Sequence, residues 1–314
     1  MENRPSANRA VALLATVIIA TGCGSTAPNA GPGVATERPS TAPASPIAQE
    51  TATPFPMPTG VPLTWITPSP AVTCTEDPAS GKLDYRSGAR SYSSNLFRPA
   101  GSGPFPAMLV LHTSVGLFDH ELAYGQWLAD QGYVALAPDY FAPLGVTSGT
   151  LDMKTFQADA VREDLARAID CLGSLAYVDK TRVGAVGFSL GGYFALALGT
   201  REDVHAVIAY YPGACDPPVD QACLARYSMA TVAAQMRAPV LLLHGQADTV
   251  SAFALSRATQ DILQRAGKSS ELVPYPGVGH AFDFTNRAAS PNYNPPATAN
   301  AKARVLAFLQ ATLH

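Results

Sequence analysis

From about residue 80 onward, apolar side chains fall into short continuous runs, and stretches of helical period separate those runs. PAMLVLHTS (106–114), GYVALAPDY (132–140), residues 182–188, VHAVIAYYP (204–212), APVLLLHGQAD (238–248) and SSELVPYPG (269–277) read as strands. Residues 119–131, 156–175, 251–266 and 297–312, and the stretch after Leu190, read as helices. In 156–175, Val161, Leu165, Ile169 and Leu172 recur on one helical face. Strands apolar throughout, alternating with helices, predict a parallel sheet covered on both faces, an α/β fold. Ahead of it, LDYRSGARSYSSNLFRPA (83–100) alternates like an opening hairpin.

The first seventy residues follow another pattern. Arg4 and Arg9 precede an apolar run from Ala10 to Ala20, and Thr21-Gly22-Cys23 follows. A basic start, a short apolar stretch and small residues before a cut predict an export signal over 1–22. The run is too short for the roughly 30 Å hydrocarbon core of a bilayer. Ala20-Thr21-Gly22-Cys23 resembles the bacterial lipobox, although Ala20 stands where leucine is usual. That resemblance implies a lipid on Cys23 and a protein held on the extracytoplasmic side of a bacterial membrane. From there to residue 73 the chain is rich in Pro, Thr, Ala, Ser and Gly. Such a segment buries too little apolar surface to offset its ordering entropy and predicts a tether over 23–73. The folded domain is expected over 74–314.

Composition narrows the partners. The chain has 314 residues, a formal net charge of −3 and 14% charged residues, which speaks against a nucleic-acid surface. Beyond Cys23 there are four cysteines. Cys215 and Cys223 bracket DPPVDQA, a loop that a disulfide can close. Cys171 lies in a helical pattern, where it is either a small core residue or a partner for Cys74; sequence leaves that pairing open. No spacing suggests a zinc site, and neither metal nor cofactor is expected.

The chemistry concentrates around Gly187-Phe188-Ser189-Leu190-Gly191-Gly192, between a strand and a helix. Gly-x-Ser-x-Gly in that context is a nucleophile elbow, which lifts the serine above the sheet edge. Gly187 and Gly191 leave room for neighbouring backbone, and the Leu190 N–H opens the helix where an oxyanion would form. A serine hydroxyl needs a base. Of six histidines, His280 follows the last strand in a glycine-rich loop and lies after the serine, the hydrolase order. Asp248, at the end of LLLHGQAD, is the expected third member; Asp283 and Asp139 are the rivals.

VLHTSVGL, GFSLGG, HGQADTVS and YPGVGHAFDF together resemble the signature regions of the dienelactone hydrolase family, over roughly residues 80–314. The resemblance implies an α/β hydrolase fold and a second oxyanion N–H from Ser114. Family members proper carry cysteine at the elbow and glutamate where this chain has Thr113. Their substrate-carboxylate arginine, four residues after the histidine, is replaced by Phe284, and Arg287 is the nearest cation that could substitute. Thr113, Tyr210, Tyr211, Phe282 and Phe284 are expected around an apolar substrate pocket. The expected reaction is hydrolysis of a small ester or lactone through an acyl-enzyme. The alternatives are a peptidase or acyltransferase on the same triad, or a non-catalytic binding module.

Overall fold

A computed structural model describes Leu63 and residues 72–314, apart from Ser148, Lys154, 215–226 and 286–290. The expected lipidation site at Cys23, the Cys215–Cys223 bridge and Arg287 therefore lie outside the described residues.

Nine strands form one sheet among the described residues. In chain order they are β1 Cys74–Asp77, β2 Lys82–Ser87, β3 Arg90–Phe97, β4 Phe105–Leu111, β5 Val134–Ala137, β6 Val178–Phe188, β7 Ala206–Tyr210, β8 Val240–Gly245 and β9 Ser270–Tyr275. Spatially the order is β1-β2-β3-β5-β4-β6-β7-β8-β9. The β1, β2, β3 and β5 pairings are antiparallel, and all pairings from β5 through β9 are parallel. The helices are α1 Asp119–Asp130, α2 Ala158–Ser174, α3 Leu190–Leu198, α4 Met229–Ala234, α5 Phe253–Arg265 and α6 Pro295–Thr312. None is long and apolar enough to cross a membrane.

The unbroken apolar runs are explained by the two cores they serve. Along β4, Ala107, Leu109 and Leu111 join one core cluster while Met108 and Val110 join the other, as the two-residue period of a strand requires. The same alternation splits β7 and β8. On one face Val161, Leu165, Ile169 and Leu172 of α2 pack with α3 and α4; on the other, Tyr124 and Leu128 of α1 pack with Val305 and Leu309 of α6. The chain leaves β4 for β5 on one side, then crosses back to β6 on the other. That reversal opens a crevice at the carboxyl ends of β4 and β6, where ligands of such sheets bind.

The antiparallel edge is fastened differently. The Arg90 guanidinium donates two hydrogen bonds to buried Asp164 of α2, at 2.6 and 2.7 Å, and the Tyr92 hydroxyl donates to the same carboxylate. Cys74 of β1 is disulfide-bonded to Cys171 of α2, with Cα atoms 5.7 Å apart. This closes the alternative left open above: Cys171 is buried and bridged. Sequence pattern missed β1, whose four residues CTED show no apolar alternation, and α4, which is only six residues long.

Candidate active site

Ser189 ends the β6-to-α3 reversal with φ 53° and ψ −114°. Its N–H donates to Tyr210 O at 3.0 Å and its carbonyl accepts from Gly213 N–H at 3.2 Å, so β7 holds the turn from beneath. A Cβ at Gly187 would come within 2.0 Å of Gly191 O, and one at Gly191 within 2.3 Å of Leu111 O. Both glycines are thus demanded by backbone approach, and the second brings the elbow against the end of β4. Among the described residues, the non-glycine residues with positive φ are Ser189, Tyr211 and Ala281. All three surround the same spot, and such backbone, costing about 1–3 kcal/mol per residue, concentrates at functional sites.

His280 Nε2 lies 3.1 Å from Ser189 Oγ, and its Nδ1 lies 2.7 Å from Asp248 Oδ2. A carboxylate only accepts, so Nδ1 carries the proton and Nε2 is free to accept from the serine hydroxyl. The imidazole is packed against the Tyr211 ring at 4.6 Å, and the Asn292 amide donates to the His280 carbonyl at 3.0 Å. Burial works to raise the Asp248 pKa. Hydrogen bonds from His244 and His280, the nearby His280 charge and the Ser251 N–H outweigh it and hold the carboxyl well below the usual range. Asp283 bonds instead to the Tyr211 hydroxyl at 2.6 Å and to His120 at 3.1 Å. Asp139 caps the Phe141 and Ala142 N–H groups. Of the three carboxylates weighed, Asp248 is the one bonded to His280.

The Leu190 N–H is the first of α3, and Ser114 lies in the Thr113–Gly116 turn after β4. Neither N–H donates a hydrogen bond among the described residues. β4 and β6 are neighbours, so Ser114 and Leu190 both follow the carboxyl ends of adjacent strands.

The expected substrate pocket needs correction. Tyr210, Tyr211, Phe282 and Phe284 are at most 2% exposed, and they belong to the core beneath the site. Their polar tips are engaged: Tyr210 shares a hydrogen bond with Tyr124, and Tyr211 donates to Asp283. Phe284 stacks on His120 at 3.8 Å and so does not face the mouth. Thr113 is buried too, its hydroxyl accepting from Val115 N–H. Consecutive apolar residues at a strand end resemble a pocket lining in sequence, but burying large rings under a crowded edge is the more favourable use of them. The exposed large apolar side chains among the described residues are Phe118, Val250 and Tyr293. They stand on the loops after β4, β8 and β9, the same edge that carries Ser189.

Sequence reasoning also missed His244, which bonds to Asp248 from the other side at 3.1 Å. The signal was present: in HGQAD a histidine at a strand end precedes the carboxylate by four residues across a tight turn.

An elbow serine on a mainly parallel sheet, with acid and base delivered by later strands, defines an α/β hydrolase fold. Within that class the chain belongs to the dienelactone hydrolase family, whose model matches residues 93–313. A Methylorubrum extorquens protein named as a carboxymethylenebutenolidase is 32% identical, over 59% of this chain and 65% of its own length. A Bradyrhizobium protein named as a 2-oxo-3-(5-oxofuran-2-ylidene)propanoate lactonase is 28% identical over 75% of this chain and 96% of its own. The crystal structure of a Klebsiella pneumoniae protein described as a dienelactone hydrolase superposes with a TM-score of 0.62 at 21% identity. It covers 77% of this chain and 99% of that one; at that identity the likeness speaks for the fold alone.

Proposed function

We propose that this protein hydrolyses carboxylic esters or lactones through an acyl-enzyme on Ser189. The observation that carries the reading is the unbroken hydrogen-bonded line from Ser189 through His280 to Asp248. The butenolidase and lactonase names of its relatives support the substrate class. Ser189 Oγ attacks the carbonyl carbon while His280 Nε2 takes its proton and Asp248 stabilises the imidazolium. The Leu190 and Ser114 N–H groups receive the oxyanion. The carbon–oxygen bond to the alcohol then breaks, and His280 returns the proton to the leaving oxygen. Water, deprotonated by the same imidazole, attacks the ester carbonyl; collapse restores Ser189 and releases the acid.

Phe118, Val250 and Tyr293, exposed on loops at the sheet edge that carries Ser189, favour esters with an apolar acyl or alcohol part. A fluorophosphonate probe and a small neutral ester test the reading. Wild type should be labelled and active, whereas Ser189→Ala should lose the label and at least about 10³-fold in kcat/KM. Activity within tenfold of wild type in that variant refutes it.

From the sequence of residues 1–73 we further infer export and a lipid anchor at Cys23. Cells fed labelled palmitate should label the wild type and not Cys23→Ala; equal labelling of both rejects the anchor.

A further inference from the structure

Asp248 is gripped from two sides. Its Oδ1 accepts the Val250 and Ser251 N–H groups, each at 2.8 Å. Its Oδ2 lies 2.7 Å from His280 Nδ1 and 3.1 Å from His244 Nε2. All four acceptor positions of the carboxylate are therefore filled.

The protonation of His244 follows from its neighbours. Nε2 is also 2.9 Å from the Ser251 carbonyl, and carbonyl and carboxylate both only accept, so Nε2 carries a proton shared between them. Nδ1 lies 2.7 Å from Ser256 Oγ on α5. In the neutral ring Nδ1 is an acceptor, so the Ser256 hydroxyl donates to it and fixes the tautomer. His244 and Ser256 are wholly buried, and the Phe253 ring packs edge-on against the imidazole. His244 thus reaches neither solvent nor substrate. Its function lies in what it does to Asp248.

We infer that His244, oriented by Ser256, is a positioning residue for the proposed reaction: it locks the Asp248 rotamer and tempers the carboxylate's pull on His280. The inference rests on the Ser189–His280–Asp248 reading above. Two consequences separate this role from simple packing. Without the second donor, Asp248 turns more freely and His280 is less well aimed, so kcat falls while KM stays. At the same time Oδ2 keeps more of its charge for His280, so the imidazolium is favoured and the acid limb of activity moves to higher pH. The groups facing His280 are Asp248, Ser189 and the Tyr211 ring. Those facing His244 are Asp248, the Ser251 carbonyl, Ser256 and the Phe253 ring.

The test compares pH profiles of kcat/KM for a small neutral ester in wild type, His244→Phe, His244→Gln and Ser256→Ala, with melting temperatures recorded. Phenylalanine keeps the ring's bulk and removes the donor. It should lower kcat about tenfold to a hundredfold, leave KM within about twofold and raise the acid limb by about half a pH unit. Glutamine restores an N–H donor at the reach of Nε2 and should recover most of the rate and the wild-type limb. Ser256→Ala should shift both quantities in the same direction as phenylalanine, by less. A loss of rate with an unmoved limb, equal in the phenylalanine and glutamine variants, reduces His244 to packing and overturns the inference. Where the phenylalanine variant does not fold, Ser256→Ala decides, and wild-type kcat and limb there overturn it as well. Ser189→Ala runs alongside: if it stays active the triad reading itself fails, whereas an inactive Ser189→Ala beside an unchanged His244→Phe sinks only the role of His244.

Discussion

At the β4–β9 side of the sheet, five parallel neighbours bury every residue of β7 and β8 between two helical layers. At the β1–β3 side, strands with alternating exposure bury only one face, Leu83, Tyr85 and Tyr92 packing with α2, and are tied to that helix by one disulfide and one buried carboxylate. The parallel side is packed on both faces, and it holds the strained residues Ser189 and Tyr211 at its carboxyl edge. The antiparallel side has fewer apolar residues in the core and adds covalent and ionic ties to α2. Damage to the polar groups at the carboxyl edge of the first region should alter chemistry with little effect on folding, and damage to the fastenings of the second should do the reverse.

Ser189→Ala is the sharpest case of the first kind. The loss of at least about 10³-fold in kcat/KM should come with a melting temperature close to wild type, because removing one hydroxyl leaves the elbow backbone in place. A large fall in stability would show that the site also holds the fold together. The opposite case is the Cys74–Cys171 bridge, which spans 97 residues of sequence. Replacing both cysteines with alanine should cost about 5 kcal/mol of unfolding free energy in the chain-entropy model, with kcat unchanged. Urea titration and ester turnover on the same preparation check both halves of that statement.

A third break tests whether the parallel side has a charge of its own to protect. His120 sits beneath the site beside Asp283 and Glu121. Burial pulls its pKa down, but the charge and hydrogen bond of Asp283 and those of Glu121 prevail and push it up to about 9. A raised pKa means stability that is complete below the unfolded value near 6.5 and lost as pH rises through about 9. The unfolding free energy should drop by about 3 kcal/mol from pH 6 to pH 9.5, and His120→Gln should flatten that slope. An equal slope in the variant assigns the pH dependence to other groups.

The contrast also decides what the sequence could reveal. The parallel strands β4, β5, β7 and β8 are buried on both faces, so their apolar runs are visible without any partner, and GFSLGG announces the elbow because backbone crowding admits no side chain at Gly187 or Gly191. Position after a strand end together with chain order pointed to Asp248 and His280. The edge was less legible: CTED has no hydrophobic period, and the Cys171 pairing depends on where α2 lies in space. The aromatic residues misled because periodicity reports burial and not which buried ring is reachable. Tyr210, Tyr211, Phe282 and Phe284 lie in the core, and the exposed large apolar side chains among the described residues are Phe118, Val250 and Tyr293.

That correction leads to the smallest effect. Phe118 is 48% exposed and Tyr293 41%, on the loops after β4 and β9 at the sheet edge that carries Ser189. An acyl chain attached to Ser189 can shed water against either ring, and each methylene so buried is worth up to about fourfold in binding. Half-exposed rings recover only part of that, so the preference for an octanoyl over an acetyl ester of the same alcohol should be moderate. In Phe118→Ser/Tyr293→Ser the preference should fall by about tenfold, mostly through KM for the long ester. Acetyl-ester turnover should stay within about twofold, since neither side chain belongs to the Ser189–His280–Asp248 line. The serine at 118 keeps the backbone N–H that donates to Glu121 and so preserves the start of α1. If both esters lose rate together, the two rings shape the loops and not the specificity. If the ratio does not move, the long chain lies elsewhere on the carboxyl edge, and the apolar rim is not where this hydrolase distinguishes its substrates.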